Sequence, residues 1–273
     1  MSGAGATSPV ITLLTDFGTR DVYAGVMRGV IANLAPRARV IDLTHEVRPQ
    51  AVADAAFLLE AAAPYFPWGT VHVAVVDPGV GSERRILCAR TSRATYLAPD
   101  NGLLSRVLER DPPARVVSVE NRVYFLPEVS HTFHGRDIFA PVAAHLAQGL
   151  DPCRLGPEVD AIVPLELPRA REREPGVIEA HIIYADRFGN LVSDVAVGDV
   201  PAIAEAELGG VRIAGPLCKR YVDRDPGQLL LLEGSTGLLE VSVNQGSAQE
   251  ALGAAVGDEL ILRLHSTERS EVS

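Results

Sequence analysis

From Val10 to about Gln148 the sequence alternates short apolar runs with stretches of helical periodicity, and this alternation constrains the fold more than any other feature. Val10–Thr15, Arg39–Leu43, Thr70–Val76, Ala94–Ala98 and Ala114–Val119 read as strands. Between them, Val22–Leu34, Val52–Ala63, Gly102–Glu109 and Ile138–Gln148 read as helices. In the first of these, Val26, Val30, Ile31 and Leu34 recur at helical spacing. Strands that alternate with helices predict an α/β domain with a mostly parallel sheet. The pattern changes near Pro168–Gly176, a charged stretch bracketed by proline and glycine that reads as a linker. Beyond it, Val177–Tyr184, Leu191–Val195, Gly210–Ala214, Gln228–Glu233, Gly237–Val243 and Glu259–Leu264 are strand-like with no helix between them. Short strands with glycine-rich turns predict a smaller all-β barrel or sandwich. The expected organisation is therefore an α/β domain over 1–168 and an all-β domain over 177–273.

The formal net charge of −10 argues against nucleic acid as a partner, because such proteins carry a basic footprint. It argues equally against recruitment to anionic membranes. A cationic or zwitterionic ligand fits this balance, as does a simply solvated acidic surface. The three cysteines, Cys88, Cys153 and Cys218, are far apart and form no CxxC pair. They read as reduced, mostly buried thiols. The N-terminal residues lack a basic region followed by an apolar core, and no charge-free run approaches the ~18 residues that span a bilayer. A cytoplasmic location is the expectation.

Four carboxylates, Asp16, Asp21, Asp77 and Asp100, fall at strand ends or tight turns. In open parallel sheets, ligands bind beyond the carboxyl ends of the strands. An aspartate there can also do no more than cap a turn or the next helix. Pro78-Gly79-Val80-Gly81 is a turn and matches no phosphate-binding loop. No GxSxG or HExxH occurs, so neither a serine-hydrolase elbow nor that zinc motif is present. His131 and His134 could share a metal only if helical, and Ser130–Asp137 reads as a loop entering a helix. No metal site is expected. His72 and Cys88 read as strand residues of the core.

Read in order, Thr15-Asp16-Phe17-Gly18, Asp42-Leu43-Thr44-His45, Val76-Asp77-Pro78-Gly79-Val80-Gly81, Arg84, Asp100-Asn101-Gly102 and Thr132-Phe133-His134-Gly135-Arg136-Asp137 resemble the S-adenosyl-L-methionine hydroxide adenosyltransferase family. This family is related to the fluorinase and chlorinase that make adenosyl halides. Asp186-Arg187-Phe188-Gly189-Asn190, Cys218-Lys219-Arg220-Tyr221 and Gly234-Ser235-Thr236-Gly237 extend the match through the second domain. The resemblance implies an α/β domain, a β-barrel domain, and a homotrimer whose sites lie between the first domain of one subunit and the second of its neighbour. It places the catalytic Asp–Arg–His set on Asp77, Arg84 and His134, and the ribose-diol carboxylate on Asp16. The methionine end falls to Asp21, Tyr23, Asp186 and Ser235, and the adenine to Phe188, Asn190 and Tyr221. S-adenosyl-L-methionine is then the substrate, and no further cofactor is implied.

The sequence departs from the halogenase pattern at informative places. The halogenases carry tyrosine in place of Asp77. The fluorinase carries threonine in place of Val80, serine in place of Gly135, tryptophan near Gln50 and arginine in place of Thr236. The implied reaction is in-line attack of water at the ribose C5′ of a sulfonium, whose thioether leaves without a proton. Such a site needs an activated water and no acid for the leaving group. The competing readings are an adenosyl halide synthase on the same fold, a metal-dependent phosphohydrolase built on the strand-end aspartates, and a non-catalytic sensor of the same small molecule.

Overall fold

The computed structural model describes residues 8–265. Residues 1–7, on which the reading of no secretory leader falls, and 266–273 lie outside the described residues. The chain forms two compact units that divide between Glu166 and Leu167. Among the described residues no helix is long and apolar enough to cross a membrane.

In the first unit, β1 (Val10–Thr15), α1 (Tyr23–Leu34), β2 (Arg39–Thr44), α2 (Val52–Ala62), β3 (Thr70–Val75), β4 (Ile86–Arg90), β5 (Ala94–Pro99), α3 (Ser105–Arg110), β6 (Arg115–Ser118) and α4 (Ala140–Ala147) follow in sequence. The six strands form one sheet in the order β2-β1-β3-β5-β4-β6. Period-two alternation divides the strand side chains between two layers. Ile11, Leu13, Val73, Cys88 and Leu97 pack with Met27, Ile31 and Val142 of α1 and α4. Leu14, Ala74, Leu87, Tyr96 and Ala98 pack with Ala55, Leu59 and Val107 of α2 and α3. Truncating a fully buried member such as Leu13 or Leu59 costs about 2–5 kcal/mol.

The expectation of a mostly parallel sheet holds in part: the sheet is mixed, with β4 alone running against the other strands. The β1–β2, β1–β3 and β3–β5 ladders are parallel, whereas β4 is antiparallel to both β5 and β6. The cause is loop length. Only Thr91, Ser92 and Arg93 join β4 to β5, and so short a connection can only reverse the chain. Thus β4, rather than a helix, returns the chain between β3 and β5.

The second unit contains β7 (Arg171–Glu174), β8 (Val177–Ala185), β9 (Leu191–Ala196), β10 (Ile203–Leu208), β11 (Val211–Ala214), β12 (Leu229–Glu233), β13 (Leu238–Val243), α5 (Ala248–Leu252) and β14 (Glu259–Leu264). Its sheet runs β11-β10-β14-β8-β9-β13-β12, entirely antiparallel. The edge strands β11 and β12 lie against each other, so the sheet curls nearly shut, barrel-like, over Ala180, Leu191, Leu231, Leu239, Val241 and Leu260. The segment read as a linker supplies β7, which pairs with the start of β8. Its charged, exposed side chains give it no strand signature. The alternation in Ile203–Leu208, which buries Ile203, Ala206 and Leu208, is broken by two alanines, and that strand was not predicted. Of the three free thiols, Cys88 is buried, Cys218 half-buried and Cys153 exposed, which corrects the expectation of mostly buried cysteines.

Candidate active site

In the first unit, Asp16 follows β1 and Asp77 follows β3, and these strands are hydrogen-bonded neighbours up to the pair Thr15–Val75. Two strand-end aspartates therefore lie side by side at the carboxyl edge of one parallel pair. The connection from Asp77 to Arg84 folds back on itself through turns in which Val80 N donates to Asp77 O at 3.2 Å and Ser82 N to Gly79 O at 3.1 Å. This return delivers Arg84 to Asp77. Nε donates to Oδ1 at 2.8 Å and to Oδ2 at 2.9 Å, and Nη2 donates to Oδ2 as well. Both side chains are largely withdrawn from solvent, Asp77 at 5% and Arg84 at 11% exposure.

The same Nη2 lies 2.9 Å from Nδ1 of His134. Guanidinium only donates, so Nδ1 must accept, and the neutral ring carries its proton on Nε2. Burial first, and the Arg84 charge second, hold His134 below the ordinary histidine pKa, against the pull of Asp77 and Asp137. The three residues named from the sequence thus form one string: carboxylate, guanidinium, neutral imidazole.

Two features bring His134 there. Gly81 has φ +80°, and a side chain on it would occupy the space of the His131 carbonyl, 2.4 Å away; only glycine lets the two loops touch. Asp137, fully buried, accepts from Ser130 N at 2.8 Å and from Arg136 Nε at 2.5 Å. Burial would raise its pKa, but Arg136 and Ser130 outweigh burial and hold the carboxyl below the usual carboxylate range. The first turn after His134, Gly135–Phe139, is a π-helical turn that runs into α4, a distortion frequent at functional sites. His131 is exposed in the loop before it, and no group of three His, Cys, Asp or Glu side chains among the described residues could hold a metal ion.

Asp16 accepts from the backbone N–H of Gln50 at 2.8 Å. Gln50 has φ +65°, a conformation that costs a non-glycine residue energy and here aims its N–H at the carboxylate. The Asp16 loop is also tied down by Gly18 N donating to His45 O at 2.7 Å and by Thr15 Oγ1 bonded to His45 Nδ1 at 2.9 Å. Tyr23, at the start of α1, meets Phe133 edge-on at 5.1 Å and Phe17 at 6.0 Å. Asp21 is exposed in the bend before it. Asp100, the fourth strand-end carboxylate, is structural: Arg85 forks onto it and Val163 N donates to it at 2.8 Å.

In the second unit, a cleft of about 520 Å³ is lined by Asp186, Phe188, Asn190, Tyr221, Val243 and Gln245. Asp186 organises the turn itself, accepting from Phe188 N at 2.8 Å, Asn190 N at 2.9 Å and Asn190 Nδ2 at 2.9 Å. That turn leaves Phe188 75% exposed. Tyr221 donates to Glu240 Oε1 at 2.8 Å, and burial together with that carboxylate pushes its pKa up to about 12. Ser235 is exposed in the β12–β13 turn and does not line this cleft.

Sequence reasoning missed Gln50 as a contact, Glu240 and Gln245. Gln50 acts through its backbone, which leaves no side-chain signal. Glu240 did leave one: it is the single charge in the apolar strand Leu238–Val243. Gln245 has φ +56° at the lip of the cleft, and Asn244-Gln245-Gly246 shows only as a turn.

Comparison with known proteins gives a consistent picture. The model of the SAM hydroxide adenosyltransferase N-terminal domain matches residues 11–156, and that of the C-terminal domain matches residues 180–261. The chain is 42% identical over 254 residues to the (R)-S-adenosyl-L-methionine hydrolase of Thermus thermophilus, covering 90% of this chain and 96% of that protein. It is 40% identical over 258 residues to the protein of the same name from Salinispora tropica, covering 93% and 98%. A fluorinase from Actinoplanes sp. is 27% identical over 214 residues, covering 69% and 72%. Among solved structures, an uncharacterized conserved protein from Thermotoga maritima superposes with a TM-score of 0.87 at 36% identity, covering 93% and 99%.

Proposed function

The chain belongs to the SAM hydroxide adenosyltransferase family, and we propose that it hydrolyses S-adenosyl-L-methionine to adenosine and L-methionine. The observation that carries this reading is the Arg84 guanidinium shared between Asp77 and Nδ1 of His134. A carboxylate at the nucleophile position repels an approaching halide, whereas water needs a proton acceptor and a nearby cation.

The hydrogen-bond pattern supports a division of roles. His134 has its one acceptor nitrogen occupied by Arg84, so it donates from Nε2 and orients the water. Oδ2 of Asp77 accepts from both Nε and Nη2, while Oδ1 accepts from Nε alone and keeps a lone pair for the proton that leaves the water. Arg84 stabilises hydroxide-like charge as it develops. Water forms the new bond at C5′, the C5′–sulfur bond breaks, and the electron pair leaves with the neutral thioether of methionine.

Asp16 suits the ribose diol, because its loop is fixed from two sides. The family resemblance is the ground for giving the methionine end to Asp21, Tyr23, Asp186 and Ser235. Phe188, Asn190 and Tyr221 suit the adenine: an exposed ring to stack on and an amide held rigid by Asp186. We assign the active assembly to a homotrimer that joins the first unit of one subunit to the second unit of its neighbour. We place it in the cytoplasm, consistent with three free thiols.

The test is turnover of S-adenosyl-L-methionine in water labelled with heavy oxygen, with chelator, and with and without chloride or fluoride. Label in adenosine and no adenosyl halide support the proposal. Label in methionine, activity lost to chelator, or a halogenated product overturns it.

A further inference from the structure

Asp100-Asn101-Gly102 is the motif that the site leaves unexplained, since Asp100 is occupied with Arg85 and Val163. Asn101 sits at the carboxyl end of β5, half-buried, and donates from Nδ2 to the carbonyl of Val76 at 2.9 Å. Val76 immediately precedes Asp77, and its side chain is fully buried. The β3–β5 ladder stops at the pair Val73–Leu97, and β5 ends on Pro99, which has no N–H to give. The carbonyl of Val76 therefore lies past the last rung, where the backbone of β5 offers it no donor. The Asn101 amide supplies the missing rung. Its Oδ1 accepts from Leu103 N at 3.3 Å, which orients the amide and fixes which end faces Val76.

We propose that Asn101 is a positioning residue for the hydrolysis, setting the Val76–Asp77 peptide and through it the Asp77–Arg84–His134 string. A tied Val76 carbonyl fixes the plane of the peptide that carries Asp77. Arg84 is forked onto that aspartate, and only a correctly placed Arg84 reaches His134. The proposal rests on the reaction proposed above, but its geometry can be read without turnover.

The experiment compares Asn101→Ala and Asn101→Asp with Ser105→Ala in the full chain. The aspartate keeps the acceptor for Leu103 N and loses the donor to Val76. Ser105 accepts from Leu165 N at 2.8 Å, so its loss weakens the same region without touching the Val76 carbonyl. Three quantities are read: kcat, the affinity for adenosine, and the titration of the His134 ring by NMR, assigned with His134→Gln. Both Asn101 variants should lose kcat by roughly 10- to 100-fold with adenosine affinity unchanged within about twofold. Their His134 ring should titrate closer to an ordinary histidine, because Arg84 no longer holds station beside it. Ser105→Ala should lower only the melting temperature. If the Asn101 variants melt lower but keep kcat and the wild-type His134 titration, the residue serves folding alone and the proposal is overturned. Should both fail to fold, Asn101→Ser, a shorter donor, reads the same quantities with the same two outcomes. If the wild-type chain does not turn over S-adenosyl-L-methionine, the proposed reaction fails, while the His134 titration still decides the positioning role.

Discussion

Nη2 of Arg84 lies 2.9 Å from Nδ1 of His134, a contact that exists only while the imidazole is neutral. Protonation turns Nδ1 into a donor facing a donor and places two cations side by side. Burial and the Arg84 charge both depress the His134 pKa, so the ring stays neutral to lower pH than usual. The acid limb of kcat should therefore have its midpoint below the ordinary histidine value of about 6.5. The sign for stability agrees: the folded pKa is lowered, so this contribution is intact above the unfolded value and is lost as pH falls from there toward the folded one. A pH–rate profile with its acid midpoint at or above the ordinary value would remove His134 from the string.

Asp77, Arg84 and His134 are proposed to act on the water, and the adenine and ribose contacts are proposed to lie on other residues. Alanine at any of the three should lower kcat by roughly 100-fold or more and leave the affinity for adenosine nearly unchanged. Asp16→Ala should weaken binding as well. Arg84→Lys should not restore activity, because a lysine cannot fork across both Asp77 oxygens and still reach Nδ1. The measurement is kcat alongside an independently measured binding constant. Near-normal kcat with weakened binding in the three alanine variants would make them binding residues.

A side chain at position 135 would press on its neighbours. A Cβ there would lie 3.1 Å from Met27 Sδ, 3.2 Å from Phe133 Cε2 and 3.3 Å from Phe17 Cε2. Phe17 and Phe133 are held there by their edge-on packing with each other and with Tyr23, so they can yield only together. Gly135→Ser should therefore displace the His134 loop and lower hydrolysis, and it should not create chloride- or fluoride-dependent turnover. Mass analysis of products from this variant in high chloride and in fluoride checks both parts. A halogenated nucleoside would show that one side chain at this position sets the nucleophile.

Short continuous apolar runs and helical apolar spacing located most strands and helices of the first unit, because a sheet buried on both faces makes its strands apolar throughout. β4 was not among the predicted strands: its run Ile86–Arg90 is short and carries a single β-branched residue, and its antiparallel direction depends on the three-residue loop that follows it. β7 was missed because its side chains Arg171–Glu174 are all exposed, so its pairing owes nothing to apolar pattern. At the site, aspartates at strand ends were visible as residue types, and the family resemblance pointed to Asp77, Arg84 and His134. Their convergence was not visible from spacing alone, since it rests on Gly81 admitting the His131 carbonyl and on Asp137 pinning Ser130. Gln50 and Val76 act through backbone groups, on which residue type is silent.

His72 offers a stability test remote from this chemistry. It is buried in β3, bonded to Thr12 Oγ1 at 2.7 Å and stacked on Tyr96 at 5.2 Å. Burial lowers its pKa to about 4. Because the unfolded chain takes up this proton near pH 6.5 and the folded chain only near 4, stability should fall as pH drops through that window, by on the order of 3 kcal/mol from this residue. Denaturant unfolding of the wild type and His72→Gln between pH 7.5 and 4 isolates the term, since other groups are common to both. Equal slopes for the two proteins would show that His72 does not remain neutral in the fold.

The Asp77–Arg84–His134 string lies on the first unit, and the cleft with Phe188 and Asn190 on the second, so the proposed trimer makes a sharp prediction about mixtures. Asp77→Ala inactivates the first unit and leaves the second intact; Asn190→Ala does the reverse. If each site joins the first unit of one subunit to the second unit of its neighbour, a site is whole when an Asn190→Ala subunit supplies the first and an Asp77→Ala subunit the second. In a ring of three with random exchange at equal concentrations, about one site in four meets that condition. Mixing two inactive proteins should thus restore up to about a quarter of wild-type turnover. Recovery should appear only under conditions that exchange subunits, and it should rise and fall with the mixing ratio, peaking at equal amounts. If every site were completed within one chain, each chain in the mixture would carry a defect and no ratio would restore activity. Turnover by a monomer, established by sedimentation at assay concentration, would likewise end the shared-site model.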